Sequence, residues 1–126
     1  MTRILFVTGE PGEFDTFITG LPQGWDTSLG VVNTAAKAFE IVAAEKVDVV
    51  VVGKTAGDQT SLDFVKKLMK HHPLVNCAMV SSLSHDDFHE ATEGYGLFMQ
   101  LTEKPDVDQA HKMVEILNSI MGLMNS

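Results

Sequence analysis

Two histidines stand four residues apart in His85-Asp86-Asp87-Phe88-His89, the spacing that places both on one helix face, as in H-E-x-x-H zinc sites. The acid is aspartate here and no third ligand is evident, so the segment reads as the polar start of a helix. Aspartates there suit the positive end of the helix dipole. Ser81 and Ser82 offer hydroxyls, yet no G-x-S-x-G surrounds either, and they read as strand-end residues. Cys77 lies in the apolar run Cys77-Ala78-Met79-Val80 and reads as a buried, inert thiol. Glu10 and Asp58 are loop acids that could build a metal site; the plainer reading of each is a solvated acid. His71-His72, before Pro73, marks an exposed helix end.

These residues depend on elements that the hydrophobic pattern defines. Asp48-Val49-Val50-Val51-Val52-Gly53 is a β-branched run bounded by glycine, the signature of a strand buried on both faces. Ile4-Leu5-Phe6-Val7 is a second apolar strand, ended by Thr8-Gly9-Glu10-Pro11-Gly12. Phe14, Phe17, Ile18 and Leu21 follow at helical spacing. Trp25 to Val32 reads as a strand, and Asn33 as the cap of an alanine-rich helix over residues 35–44. After the valine strand, the loop Lys54 to Thr60 leads to Ser61 as a cap. Leu62, Phe64, Val65, Leu68 and Met69 then form an apolar face opposite Lys66, Lys67 and Lys70. Val75 to Val80 is a strand, and Ser84 with Asp87 has capping-box-like spacing for a helix to about Glu93. Leu97 to Leu101 is the last strand. Pro105-Asp106 opens a final helix with Val107, Ala110, Met113, Val114, Leu117, Ile120, Met121 and Met124 as its stripe. Five strand–helix alternations predict a flavodoxin-like (βα)5 fold: one doubly wound parallel sheet, strand order 2-1-3-4-5, in a single domain over residues 1–126.

Composition removes several functions. The net charge is −8, and Arg3 with eight scattered lysines forms no cluster that could neutralise nucleic-acid phosphates. One cysteine cannot make an intramolecular disulfide. No apolar run approaches the roughly 18–20 residues of a membrane span, and nothing resembles a signal peptide, so a cytoplasmic protein is expected.

With the elements in order, the chain resembles the receiver domain of bacterial response regulators (CheY-like) over essentially its whole length. In that family the first strand ends in an acidic pair that helps hold Mg²⁺; here Thr8 and Gly9 take those positions, and Glu10 falls one place late. The family's phosphoacceptor aspartate ends the third strand, where Gly53 stands. Its hydroxyl residue matches Ser81, and its Lys-Pro pair matches Lys104-Pro105. The aromatic switch position falls at Leu101. The resemblance therefore implies a degenerate phosphorylation pocket of Thr8, Gly9, Glu10, Gly53, Thr55, Ser81 and Lys104. Mg²⁺ is usually held through carboxylates, and phosphoryl transfer to the protein needs a nucleophilic one. The expectation is a non-enzymatic pseudo-receiver of the phosphorelay, two-component type, with no cofactor and no metal, that signals by protein–protein contact.

The resemblance places that contact on the fourth helix, fifth strand and fifth helix, with Leu101, Lys104, Met113, Ile116, Ile120 and Leu123 as contact residues. Ile116 and Leu123 widen the apolar stripe of the last helix, which points to another protein or a second copy as partner; the resemblance implies a signalling kinase or an output protein. A homodimer through that helix is one form of this. The alternative is a small-molecule or nucleotide sensor using Thr8-Gly9-Glu10, Gly53-Lys54 and Lys104, although no G-x-G-x-x-G or P-loop is present.

Overall fold

The valine run lies at the centre of the molecule. Val49, Val50, Val51 and Val52 are all fully buried, with sheet neighbours on both sides. The structure is a computed structural model that describes residues 2–125, with side chains through residue 120. In chain order the elements are β1 (Thr2–Val7), α1 (Asp15–Thr19), β2 (Trp25–Asp26), β3 (Val31–Val32), α2 (Ala35–Ala44) and β4 (Val49–Val52). Then come α3 (Ser61–His71), β5 (Asn76–Val80), α4 (His85–Thr92), β6 (Met99–Leu101) and α5 (Val107–Asn125). The sheet is parallel in the order β2-β1-β4-β5-β6, with β3 also pairing β1.

The expected second strand is interrupted. β2 pairs with Thr2 and Arg3 at one end of β1, and β3 pairs with Phe6 and Val7 at the other. Between them Asp26 Oδ1 accepts the Ser28 N–H at 2.9 Å and forms a turn that lifts the chain off the sheet. The Ser28 hydrogen bonds hold the Asp26 carboxyl below its ordinary range. Counting β2 and β3 as one broken strand restores the flavodoxin-like 2-1-3-4-5 order.

Alternate residues of each strand point to opposite faces, and the core divides accordingly. Leu5, Val7, Val50, Val52, Cys77 and Met79 pack with Ala38 and Val42 of α2, Phe64 and Leu68 of α3, and Phe88 of α4. Ile4, Phe6, Val49, Val51, Ala78, Val80 and Leu101 pack with Phe14, Phe17 and the α5 residues Ala110, Met113 and Leu117. Phe6 meets Phe14 and Phe17 at ring separations of 5.0 and 6.0 Å. Each large apolar side chain buried this way contributes about 1.5–3 kcal/mol.

Helix caps fall one residue from two of the expected positions. Thr34, not Asn33, accepts the Lys37 N–H at 3.2 Å, and Thr60, not Ser61, accepts the Asp63 N–H at 3.2 Å. Each threonine is the last extended residue before its helix, which is where a side-chain oxygen can reach back. Ser84 caps α4 as expected, accepting the Asp87 N–H at 3.1 Å. At the far end of the sheet Arg3 pairs with Asp26 and Glu45 at 3.3 and 3.2 Å. Among the described residues no helix is long and apolar enough to cross a membrane.

Candidate functional site

β1, β4 and β5 end at one edge of the sheet, so Thr8, Gly53 and Ser81 are delivered there by strand length alone. Gly53 is buried and donates its N–H to Val7 O at 2.8 Å. The Thr8 hydroxyl, also buried, donates to Glu13 Oε1 and accepts the Glu10 N–H at 3.0 Å. Glu13 comes from the turn into α1, and its Oε2 accepts the Lys54 N–H at 2.9 Å. A Cβ at position 53 would fall on Glu13 Oε1 and lie 2.7 Å from Thr8 Oγ1. A carboxylate carried by the first loop therefore fills the space where a side chain at 53 would begin. Sequence reasoning missed Glu13. The signal was a strand-end glycine beside a hydroxyl whose burial demands a partner.

The β1 and β4 loops nest closely here. Gly9 donates to Thr55 O at 3.4 Å, and the Thr55 hydroxyl accepts the Gly57 N–H at 3.4 Å. Gly57 has φ +82° and passes so close to Asn33 O that no side chain fits. Asp58 turns away and accepts the Ala35 N–H at 3.2 Å, tying this loop to the start of α2. Glu10 is exposed and lines other clefts than Asp58 does, so the two acids do not meet as a substitute metal site. Among the described residues no group of three or more His, Cys, Asp or Glu is placed to hold a metal.

Glu10, Glu13, Lys54, Glu103, Lys104 and Asp106 border a cleft of about 430 Å³. Four carboxylates face two lysines there, which disfavours an anionic ligand. Lys54 Nζ lies 3.5 Å from Glu103, an exposed pair of little energetic weight. Lys104 is exposed with φ +56°, and among the described residues it makes no ion pair. Ser81 is drawn into local structure. Its hydroxyl accepts the Leu83 N–H at 3.1 Å, and its carbonyl accepts from Gln100 Nε2 at 3.2 Å. Gln100 also donates to Leu83 O at 2.7 Å, so this polar strand residue staples the β5–α4 loop. Its role, too, went unread in the sequence. Burial pushes the Cys77 thiol up to about 12, in keeping with an inert group.

The expected contact residues divide. Leu101 and Met113 are fully buried between the sheet and α5 and offer nothing to a partner, a correction to their assignment as contact residues. Ile116 is half-buried, Lys104 is exposed and Ile120 is 48% exposed. Leu123, with Met121 and Met124, lies outside the residues whose side chains are described.

No protein-family model and no curated protein sequence matches this chain. Solved structures do. The Francisella response regulator 1452 receiver domain matches with a TM-score of 0.78 at 19% identity, over 96% of this chain and 99% of that one. A CheY-like response regulator receiver domain protein from Methanospirillum hungatei JF-1 matches with a TM-score of 0.76 at 17% identity, over 94% and 95%. The chemotaxis response regulator CheY4 of Vibrio cholerae matches with a TM-score of 0.75 at 14% identity, over 91% and 97%. This chain has the fold of the response-regulator receiver domain.

Proposed function

We propose that residues 1–126 form a single receiver-like signalling domain that acts by protein–protein contact, without phospho-aspartate chemistry and without enzymatic activity. The observation that carries this is the pairing of Gly53 with Glu13: position 53 has no nucleophile, and a neighbouring carboxylate occupies its space. A carboxylate already held by the Thr8 hydroxyl and the Lys54 N–H is not free to attack a phosphoryl donor. The strand-end positions Thr8 and Gly9 supply no carboxylate for Mg²⁺. The acid-rich cleft counts against a nucleotide sensor at the same edge.

By resemblance, the partner is a signalling protein that docks on α4, β6 and α5, with Lys104, Ile116 and Ile120 as the accessible members of that face. Such a domain is competent without phosphorylation, or is controlled by its partner. Intact-mass spectrometry after incubation with Mg²⁺ and acetyl phosphate tests the proposal, with a phosphorylatable receiver as control. The expected result is an unchanged mass. A hydroxylamine-labile phosphate adduct would overturn it, and Glu10, Glu13 and Asp58 would then be replaced in turn to locate the acceptor.

A further inference from the structure

His85 and His89 lie away from the acidic cleft, on adjacent turns of α4, and the proposed signalling role makes no use of them. Both side chains are exposed, and their ring centres are 5.2 Å apart with the planes at 82°. The backbone beneath them is fixed at three points. Ser84 caps the helix through the Asp87 N–H, Phe88 is buried in the core, and the Thr92 hydroxyl donates to Phe88 O at 2.8 Å. The spacing of the two histidine Cα atoms is therefore set by a helix anchored to the core.

The separation has a chemical counterpart. With metal–nitrogen bonds of about 2.0–2.1 Å and about 1.1 Å from nitrogen to ring centre, two imidazoles on one tetrahedral ion have centres roughly 5.2 Å apart. The observed 5.2 Å, in an edge-to-face contact of the two rings, is close to that value, so the rings need to turn and not to separate. Exposed rings turn on the picosecond-to-nanosecond scale, so aiming one nitrogen of each at a shared ion requires no backbone change. The local charge favours a cation as well: residues 85–93 carry Asp86, Asp87, Glu90 and Glu93 and neither Lys nor Arg. Imidazole nitrogens select borderline transition metals over Mg²⁺, which takes oxygen ligands.

We propose that His85 and His89 form a two-histidine chelate for a first-row transition-metal dication, Zn²⁺ or Cu²⁺, on the exposed face of α4. Among the described residues no third protein ligand is in place, so water completes the coordination and the ion exchanges readily. A bridge between successive turns holds the start of α4 in its helical form. The assignment does not rest on the proposed docking role, although the ion would sit on α4, one of the elements of that face.

Isothermal titration of the full chain with ZnCl₂, and separately with CuCl₂, tests it, together with hydrogen exchange over residues 85–92. The expected result is one site per chain and slower exchange in α4 with Zn²⁺ but not with Mg²⁺. His85→Ala and His89→Ala should each weaken binding on the order of tenfold or more, because the second imidazole no longer binds as an intramolecular ligand. The control His71→Ala/His72→Ala should bind as the wild type does. Absence of binding, or binding unmoved by His89→Ala, overturns the proposal. So does a loss of equal size in the His71/His72 control.

Discussion

Alanine at position 53 would test the central geometry directly. Its methyl group would take the place of Glu13 Oε1, 2.7 Å from Thr8 Oγ1 and 2.8 Å from Thr8 Cβ. Gly53 is not among the residues with positive φ, so the backbone accepts alanine, and reduced freedom of the unfolded chain offsets about 0.4–1 kcal/mol. The Glu13 carboxylate can swing outward, but it then loses the Thr8 hydroxyl and the Lys54 N–H. Hydrogen bonds to charged groups are worth about 1.5–3 kcal/mol each, and solvent at this half-buried site reduces the pair to roughly 1–2 kcal/mol in all. Thr8 is buried and β-branched and cannot move aside, so overpacking adds about 1–3 kcal/mol. The net expected cost of Gly53→Ala is about 1–4.5 kcal/mol. In a Glu13→Ala background the carboxylate contribution is already gone, and the same substitution should cost about 1–2 kcal/mol less. Urea unfolding of the wild type, both single variants and the double variant gives this coupling, provided m is unchanged. Costs that add to within about 0.5 kcal/mol would refute the placement of Glu13 over Gly53.

Other substitutions separate the remaining features. Thr34→Ala and Thr60→Ala should each lose about 1 kcal/mol in thermal or urea unfolding, whereas Asn33→Ala should change stability by less than about 0.5 kcal/mol. Gln100→Leu removes the donor to Ser81 O and Leu83 O; about 1–2 kcal/mol should be lost, with faster hydrogen exchange at the Leu83 amide. Cys77 should resist thiol reagents until the protein unfolds. Its pKa is raised from 9.0 to about 12 in the fold, so its contribution is complete below pH 9 and is lost as pH rises toward 12. Over that window the loss is on the order of 4 kcal/mol, and Cys77→Ala should flatten it.

The fold was legible because its strands are written as uninterrupted apolar runs. Val49–Val52 and Ile4–Val7 need no context to read as buried strands, and both are fully or almost fully buried. What stayed hidden depends on contacts between loops. Asn33-Thr34 and Thr60-Ser61 each place two capping residues side by side, and the choice falls to the one whose backbone is last to be extended. Glu13 lies five residues beyond Thr8 and reads as one acid among several until a turn folds it back over Gly53. The resemblance places Leu101 and Met113 on the contact face with the elements that carry them, yet alternation within β6 and periodicity within α5 turn both side chains inward.

The placement of Glu13 on the loop before α1, and not on the strand it covers, orders the substitutions that could lead toward phosphoryl acceptance. Aspartate introduced at 53 alone would crowd a second carboxylate into space that holds one, with two like charges repelling. Position 13 must change first, and Thr8 or Gly9 must also become acidic before Mg²⁺ has a carboxylate from the end of β1 beside an acid at 53. No single mutational step improves the site along this route. Substitutions at residues 13 and 53 should therefore appear together in variants of this chain.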